Sequence, residues 1–387
     1  MVVEGFVAPG YERVAESFQR NFEKRNEVGA SFCAYQNGET VVDIWGGLSD
    51  IASATAWQRD TIALGFSMTK GVTAIVVNLL IERGCLDPAA TVATYWPEFG
   101  ANDKADITVG QLLSHQAGLP VIEGNFTLSE ALLWDPVVDA LAAQHPRWKP
   151  GTAHGYHLRS FGWLAGELVR RADPQHRTVG EILRDEVAAP LGLELWIGLP
   201  EIFESRVATL VAPDPEAFAI IPKTSDTWLA MTGPDGLFGY NDMWNTRELH
   251  AAALPSSTGI GSARSFAKLY ASLIGDGADG RRLLRTDTVD RAACAQTRGP
   301  DRIIVRESAF GLGFMLPPTL PSHAGPRSFG HGGAGGSTAF ADPDANLACC
   351  YLMNGLQFDF VNPDMRGETL VRALYACSNR TCSAATK

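Results

Sequence analysis

The chain has 387 residues, 45% of them hydrophobic and 19% charged, which suits a large buried core and argues against disorder. Its formal net charge of −11 would repel nucleic acid and anionic lipid, so neither is expected as a partner. No apolar run nears the roughly 20 residues that a membrane span needs, and the first ten residues carry no basic n-region and no long apolar stretch. Seven cysteines, odd in number and without a CxxC pair, fit neither a disulfide framework nor a zinc site. A reducing, cytoplasmic location is the expectation.

In chain order, Val14, Phe18 and Phe22 at four-residue spacing predict an amphipathic helix over 11–26. Two β-rich runs, 30–35 and 39–45, flank Gln36-Asn37-Gly38, a hairpin signal. Residues 61–66 lead into a helix over 67–83, which stops at Gly84. Further helices are expected at 108–114, 128–144, 160–171 and 178–186. The Pro-, Gly- and aromatic-rich stretch 211–257 reads as a structured surface excursion. A helix over 262–273 precedes strands at 310–316, 328–331, 338–342 and 347–353, and a last helix spans 364–376. Sheet material therefore sits at both ends, with helices between. The division expected is an α/β sheet domain from 1–72 and 255–387 and a mainly helical domain from 73–254.

Chemistry concentrates at three places. In Phe66-Ser67-Met68-Thr69-Lys70, residues three apart share a helix face, so Lys70 can reach the Ser67 hydroxyl. A serine needs a base, and a desolvated, neutral lysine can serve. The Ser67 N–H at the helix start can also face a developing oxyanion. The same pattern recurs at Ser265-Phe-Ala-Lys268, which reads instead as the start of an ordinary amphipathic helix. Next, Lys149-Pro-Gly151 precedes Tyr156, a phenol that can relay a proton if cations lower its pKa; a packing tyrosine is the plainer alternative. Tyr35-Gln-Asn37 is a chance Tyr-x-Asn on the hairpin. Last, His331-Gly-Gly-Ala-Gly-Gly336 is too glycine-rich for a strand built only to pack, and its N–H groups can complete an oxyanion hole; a flexible turn is the alternative. A phosphate loop is excluded by the missing Gly-Lys-Ser/Thr. Neither a Gly-x-Ser-x-Gly elbow nor a clustered metal set occurs among the eight histidines, so no metal or cofactor is expected.

The order Ser-x-x-Lys, Tyr, His-Gly-Gly resembles the serine β-lactamase and penicillin-binding protein superfamily. Leu112-Leu-Ser-His-Gln-Ala-Gly-Leu-Pro120, Trp148-Lys-Pro-Gly151 and Ser257-Thr-Gly-Ile-Gly-Ser262 look like further family segments, and class C enzymes and family VIII carboxylesterases are the nearest branches. The resemblance implies an α/β (α+β) fold, an antiparallel sheet flanked by terminal helices plus an all-helical domain. It further implies that Ser67 is acylated, with Lys70 as its base, Tyr156 as a second base, and the Ser67 and Ala334 N–H groups as the oxyanion hole. His331, Gly332 and Gly333 stand where β-lactamases carry Lys-Thr-Gly, and bind substrate. Leu158 replaces the asparagine two residues after the tyrosine, and His331 replaces a lysine. Both changes favour neutral acyl esters over anionic lactams, with Tyr240 and its aromatic neighbours Trp228, Phe238 and Trp244 lining the pocket. The expected activity is hydrolysis of short-chain, small-molecule esters. β-Lactamase, amidase or peptidase, acyltransferase and a silent ligand sensor are the alternatives, and oligomeric state is left open. A serine-directed phosphonate should label the peptide containing Ser67, as read by mass spectrometry; a label on Ser265 overturns the assignment.

Overall fold

The computed structural model describes residues 3–360 and 362–384. Strands from the two ends of the chain form one antiparallel sheet: β1 (Glu4–Val7), β2 (Gly29–Gln36), β3 (Glu39–Asp50), β4 (Phe329–Gly332), β5 (Thr338–Asp342) and β6 (Leu347–Met353). Their order is β1-β3-β2-β6-β5-β4, with Thr55–Ala56 as a short seventh strand on β3. Asn37 (φ 51°) and Gly38 (φ 80°) both adopt left-handed backbone between β2 and β3, as a two-residue hairpin requires. Every residue of β6 is buried, so the sheet centre is covered on both faces. The helix Ala263–Ala271 lies across β2, β5 and β6, while Glu12–Lys24 packs against the C-terminal helix Met365–Ala384. The α/β (α+β) architecture is thus the expected one. No helix among the described residues is long and apolar enough to cross a membrane.

Several elements differ from expectation, each for a local reason. The helix expected over 128–144 is two, Leu128–Leu132 and Asp135–Ala143. Trp134 takes φ 76° between them, and Pro136 supplies no N–H to continue the first. The strand expected over 310–316 ends at Phe310: Glu307–Phe310 pairs with Thr297–Pro300 in a hairpin that periodicity did not announce. Gly313 (φ 89°) then turns the chain so that Met315 bridges Gly330 on β4. The segment 211–257 contains the short helices Asp226–Thr232 and Arg247–Ala251.

The helix Met68–Glu82 is apolar on all sides, and its residues from Met68 to Ile81 are buried. A helix without a polar face has to be enclosed, and this one lies between β4 and the helix Ser160–Ala172. Glycine at position 71 makes the approach possible, because a Cβ there would run into the Tyr270 hydroxyl and the His331 Cβ.

The glycine run after β4 is pinned from behind by Arg366, whose side chain is 1% exposed. Its guanidinium donates to the Gly335 carbonyl (2.6 Å), the Gly355 carbonyl (2.8 Å) and the Glu27 carboxylate (3.1 Å), and it also pairs with Asp364. Glu27, buried in turn, accepts from the Tyr351 hydroxyl. Removing one partner of such a pair leaves a charge without compensation in the core. Arg366→Met should therefore lower unfolding free energy by about 3–5 kcal/mol in urea titrations, and Glu27→Gln in the same chain should recover part of it. A loss under about 1 kcal/mol would mean that the pair is no more than a surface-like contact.

Candidate active site

A small three-stranded sheet delivers Ser67. Gly259–Gly261 pairs with Ala63–Leu64 on one side and with Leu195–Ile197 on the other. Just past the strand, Phe66 takes φ 44°, a left-handed conformation that costs a non-glycine residue about 1–3 kcal/mol. Packing holds it there, with the Phe66 ring edge-on to Trp244 (5.0 Å) and Tyr240 (5.6 Å). Thr69 locks the same turn: its hydroxyl donates to the Phe66 carbonyl (2.5 Å) and accepts from the Gly259 N–H (2.7 Å). Ser67 follows as the residue that opens the buried helix.

Lys70 Nζ lies 3.0 Å from Ser67 Oγ and 3.0 Å from the Ser256 carbonyl oxygen. The lysine is wholly buried. Burial, and secondarily the charge of Arg159, hold its amine well below the usual lysine range. A neutral amine donates one hydrogen to the Ser256 carbonyl and offers its lone pair to the Ser67 hydroxyl.

Tyr156 reaches the site from the loop before Ser160–Ala172. Both oxygens of the buried Asp301 carboxylate accept from its backbone N–H (3.1 Å each), and the same carboxylate accepts from Ile303 N (2.8 Å), Ile304 N (3.0 Å) and the Ser308 hydroxyl (2.9 Å). The phenol ring stacks on Phe310 at 5.8 Å, with Lys70 Nζ 5.1 Å from its centroid. The expectation that nearby cations lower its pKa fails: burial pushes the phenol up, only partly offset by its hydrogen bond to Ser67 and by Arg159. The resting tyrosine is a neutral donor and not a tyrosinate.

His331 does not line the cleft. It is buried behind Tyr156, with Nε2 3.4 Å from the phenol oxygen and Nδ1 2.7 Å from the Gly332 carbonyl. The carbonyl can only accept, so Nδ1 carries the hydrogen and Nε2 is left as an acceptor for the tyrosine hydroxyl. Burial and then Lys70 pull its pKa down to about 3. His115, within the segment 112–120, supports the same ring from below: it packs edge-on to Tyr156 (5.1 Å) and accepts from the His157 N–H (3.2 Å).

The chain after β4 bends round the site. Gly333 passes so near Gly65 that a Cβ would strike the Gly65 carbonyl. Among the described residues, the backbone N–H groups of Ser67 and Ala334 have no acceptor within the protein. Both residues line a cleft of about 850 Å³, which also takes in Tyr156, Gly332 and Gly333. Leu158, Met231, Tyr240, Met315 and Phe358 supply apolar wall, while Arg25 and Arg306 lie on the polar side. Trp228, Phe238 and Trp244 are not among the residues lining it. The second Ser-x-x-Lys lies elsewhere: Ser265 accepts from the Glu194 N–H (2.8 Å) and Lys268 pairs with Asp279 (2.7 Å). Sequence reasoning missed Asp301 and Arg159. The one available signal was that Arg159 stands three residues beyond Tyr156, on the turn before a helix.

The beta-lactamase family model matches residues 18–372. The chain is 32% identical over 380 residues to the esterase/beta-lactamase LipL of Mycobacterium tuberculosis, covering 94% of this chain and 86% of LipL. Among solved structures it is similar to a family VIII carboxylesterase (TM-score 0.88, 36% identity, 97% of this chain and 100% of the other). It is similar also to EstA from Arthrobacter nitroguajacolicus Rue61a (TM-score 0.87, 34% identity, 98% and 100%).

A neutral buried imidazole has a consequence for stability. Unfolded, His331 takes up a proton as pH falls below its ordinary value of 6.5; folded, it does so only near about 3. Stability present above pH 6.5 is therefore lost as pH falls through that window, by about 1.4 kcal/mol per pH unit for this one group. Urea titrations between pH 6 and pH 4 should show a shallower slope for His331→Asn by about that amount. Equal slopes would mean that the folded protein already carries His331 protonated.

Proposed function

The chain belongs to the beta-lactamase family and is a serine hydrolase, and from that premise we propose that it is a carboxylesterase that cleaves short, neutral esters through an acyl-enzyme on Ser67. The observation that carries this reading is the 3.0 Å approach of Lys70 Nζ to Ser67 Oγ in a pocket whose burial holds the lysine well below its usual range. As Ser67 Oγ attacks the ester carbonyl, its proton passes to Lys70, and the carbonyl oxygen becomes an anion received by the Ser67 and Ala334 N–H groups. The C–O bond to the alcohol then breaks. Tyr156 gives its hydrogen to the departing alkoxide and is reprotonated from Lys70. Water attacks the acyl carbon in the second half, loses a proton to the same relay, and releases the acid while Ser67 regains its hydrogen.

Two features support a neutral substrate. His331 stays uncharged in the physiological range, and Leu158 offers no donor to an amide side chain where it lines the cleft. The buried free thiols Cys33, Cys349 and Cys350 support a reducing compartment as the place of action. One observation favours a second reading. Arg306 lines the cleft with no ion-pair partner among the described residues, and it can receive the carboxylate of a β-lactam.

A substrate panel separates the two. We expect kcat/KM for p-nitrophenyl acetate or butyrate to exceed that for nitrocefin by at least about tenfold, or roughly 1.4 kcal/mol. We also expect Arg306→Ala to leave ester rates within about twofold. Nitrocefin as the better substrate, with Arg306→Ala abolishing that preference, would replace the esterase with a β-lactamase.

A further inference from the structure

Arg159 is a buried cation that meets no carboxylate among the described residues. It is 5% exposed, and its guanidinium donates to the Met231 carbonyl (Nε, 3.0 Å), the Ser257 hydroxyl (Nη1, 3.0 Å) and the Phe238 carbonyl (Nη2, 3.1 Å). The rings of Trp244 (4.9 Å), Tyr240 (5.1 Å) and Phe238 (5.9 Å) surround it. Polar oxygens and ring faces make burial of a weakly hydrated guanidinium tolerable, yet none of them neutralises it. A stability role alone would be met more cheaply by an apolar side chain or by a paired ion.

Its connections lead back to Lys70. The Arg159 carbonyl accepts from the Ser256 hydroxyl (3.0 Å), and the Ser256 carbonyl accepts from Lys70 Nζ (3.0 Å). One residue thus holds the turn that anchors the lysine and, through Met231 and Phe238, the wall segment that carries Tyr240. The titratable groups facing Lys70 are Tyr156 and Arg159 on the loop, His331 on β4 and His115 below the tyrosine. Asp301, the carboxylate on that side, is spent on the Tyr156, Ile303 and Ile304 N–H groups and the Ser308 hydroxyl. Both histidines are neutral, so Arg159 supplies the standing charge.

We propose that Arg159 is a positioning residue whose uncompensated charge keeps Lys70 in the neutral form that can take the Ser67 proton. Burial favours the same form, and the guanidinium adds to it. The inference rests on the reading of Ser67 and Lys70 as nucleophile and base. Removing the charge makes protonation of Lys70 easier, so the lysine loses its proton at higher pH.

The test uses Arg159→Met, Arg159→Gln, which keeps hydrogen-bonding groups without the charge, and Arg159→Lys, which keeps the charge without the fork. Two readouts are taken on the full chain: titration of the Lys70 ε-carbon by 13C NMR, and the ascending limb of kcat/KM against pH with p-nitrophenyl acetate. In Arg159→Gln and Arg159→Met both should move up by about one pH unit, a tenfold loss of rate on that limb. Arg159→Lys should restore the limb while KM stays raised, because the wall segment has lost its clamp. If Arg159→Met does not fold, Arg159→Gln carries the test. Unchanged Lys70 titration and an unmoved limb in the folded variants, whatever happens to the maximal rate, would overturn the proposal. Failure of the esterase reading would appear separately, as a wild-type protein whose Ser67 is not acylated while its Lys70 titration still responds to Arg159.

Discussion

A lysine folded away from water, with an arginine rather than a carboxylate for company, is driven to release its proton. Lys70 is in that position, and the molecule is arranged to keep it there. The helix that carries it is enclosed along its whole length from Met68 to Ile81. A glycine at position 71 lets Tyr270 and His331 close over its next turn, and the Ser256 carbonyl accepts one of the amine hydrogens. The strained turn at Phe66, held by Trp244, Tyr240 and Thr69, sets the serine at the end of that helix.

The same burial acts on the neighbours, each according to its chemistry. A phenol is pushed up and an imidazole down, so Tyr156 and His331 both rest uncharged, joined by a hydrogen bond whose direction the Gly332 carbonyl dictates. Both groups therefore hold little charge in the resting site. In the proposed acyl transfer, developing charge would meet the fixed Ser67 and Ala334 N–H groups in place of reorganising solvent. His331 thereby stands beside Lys70 as a neutral acceptor for Tyr156.

Two ionic clusters at a distance keep this geometry in register. Arg366 ties the glycine run to Glu27 and to the carbonyls of Gly335 and Gly355. Asp301 gathers four donors at the turn between Thr297–Pro300 and Glu307–Phe310 and aims the Tyr156 loop. In both cases a buried charge joins segments far apart in sequence, where a neutral side chain would leave backbone groups unsatisfied.

What local spacing can dictate was legible in the residues themselves. Ser67 and Lys70 are one helical turn apart, Asn37-Gly38 can do little but turn, and the strands at both ends of the chain announced a sheet closed by distant pairing. The chance copy at Ser265 and Lys268 was separable too, because its helix is amphipathic and its serine lies in the first turn behind the Ser262 cap. Periodicity was silent wherever a single residue overrode it, as at Trp134, where one left-handed residue before Asp135-Pro136 cuts a helix in two. The electrostatics of the site lay wholly beyond local reading. Whether Lys70 is neutral, whether Tyr156 is a donor or an anion and whether His331 lines the cleft all depend on how much water the fold removes and on which distant groups it brings near. Arg159 meets Met231, Phe238 and Ser257 only after some 70 to 100 residues of intervening chain have folded, so its role is a property of the tertiary structure alone.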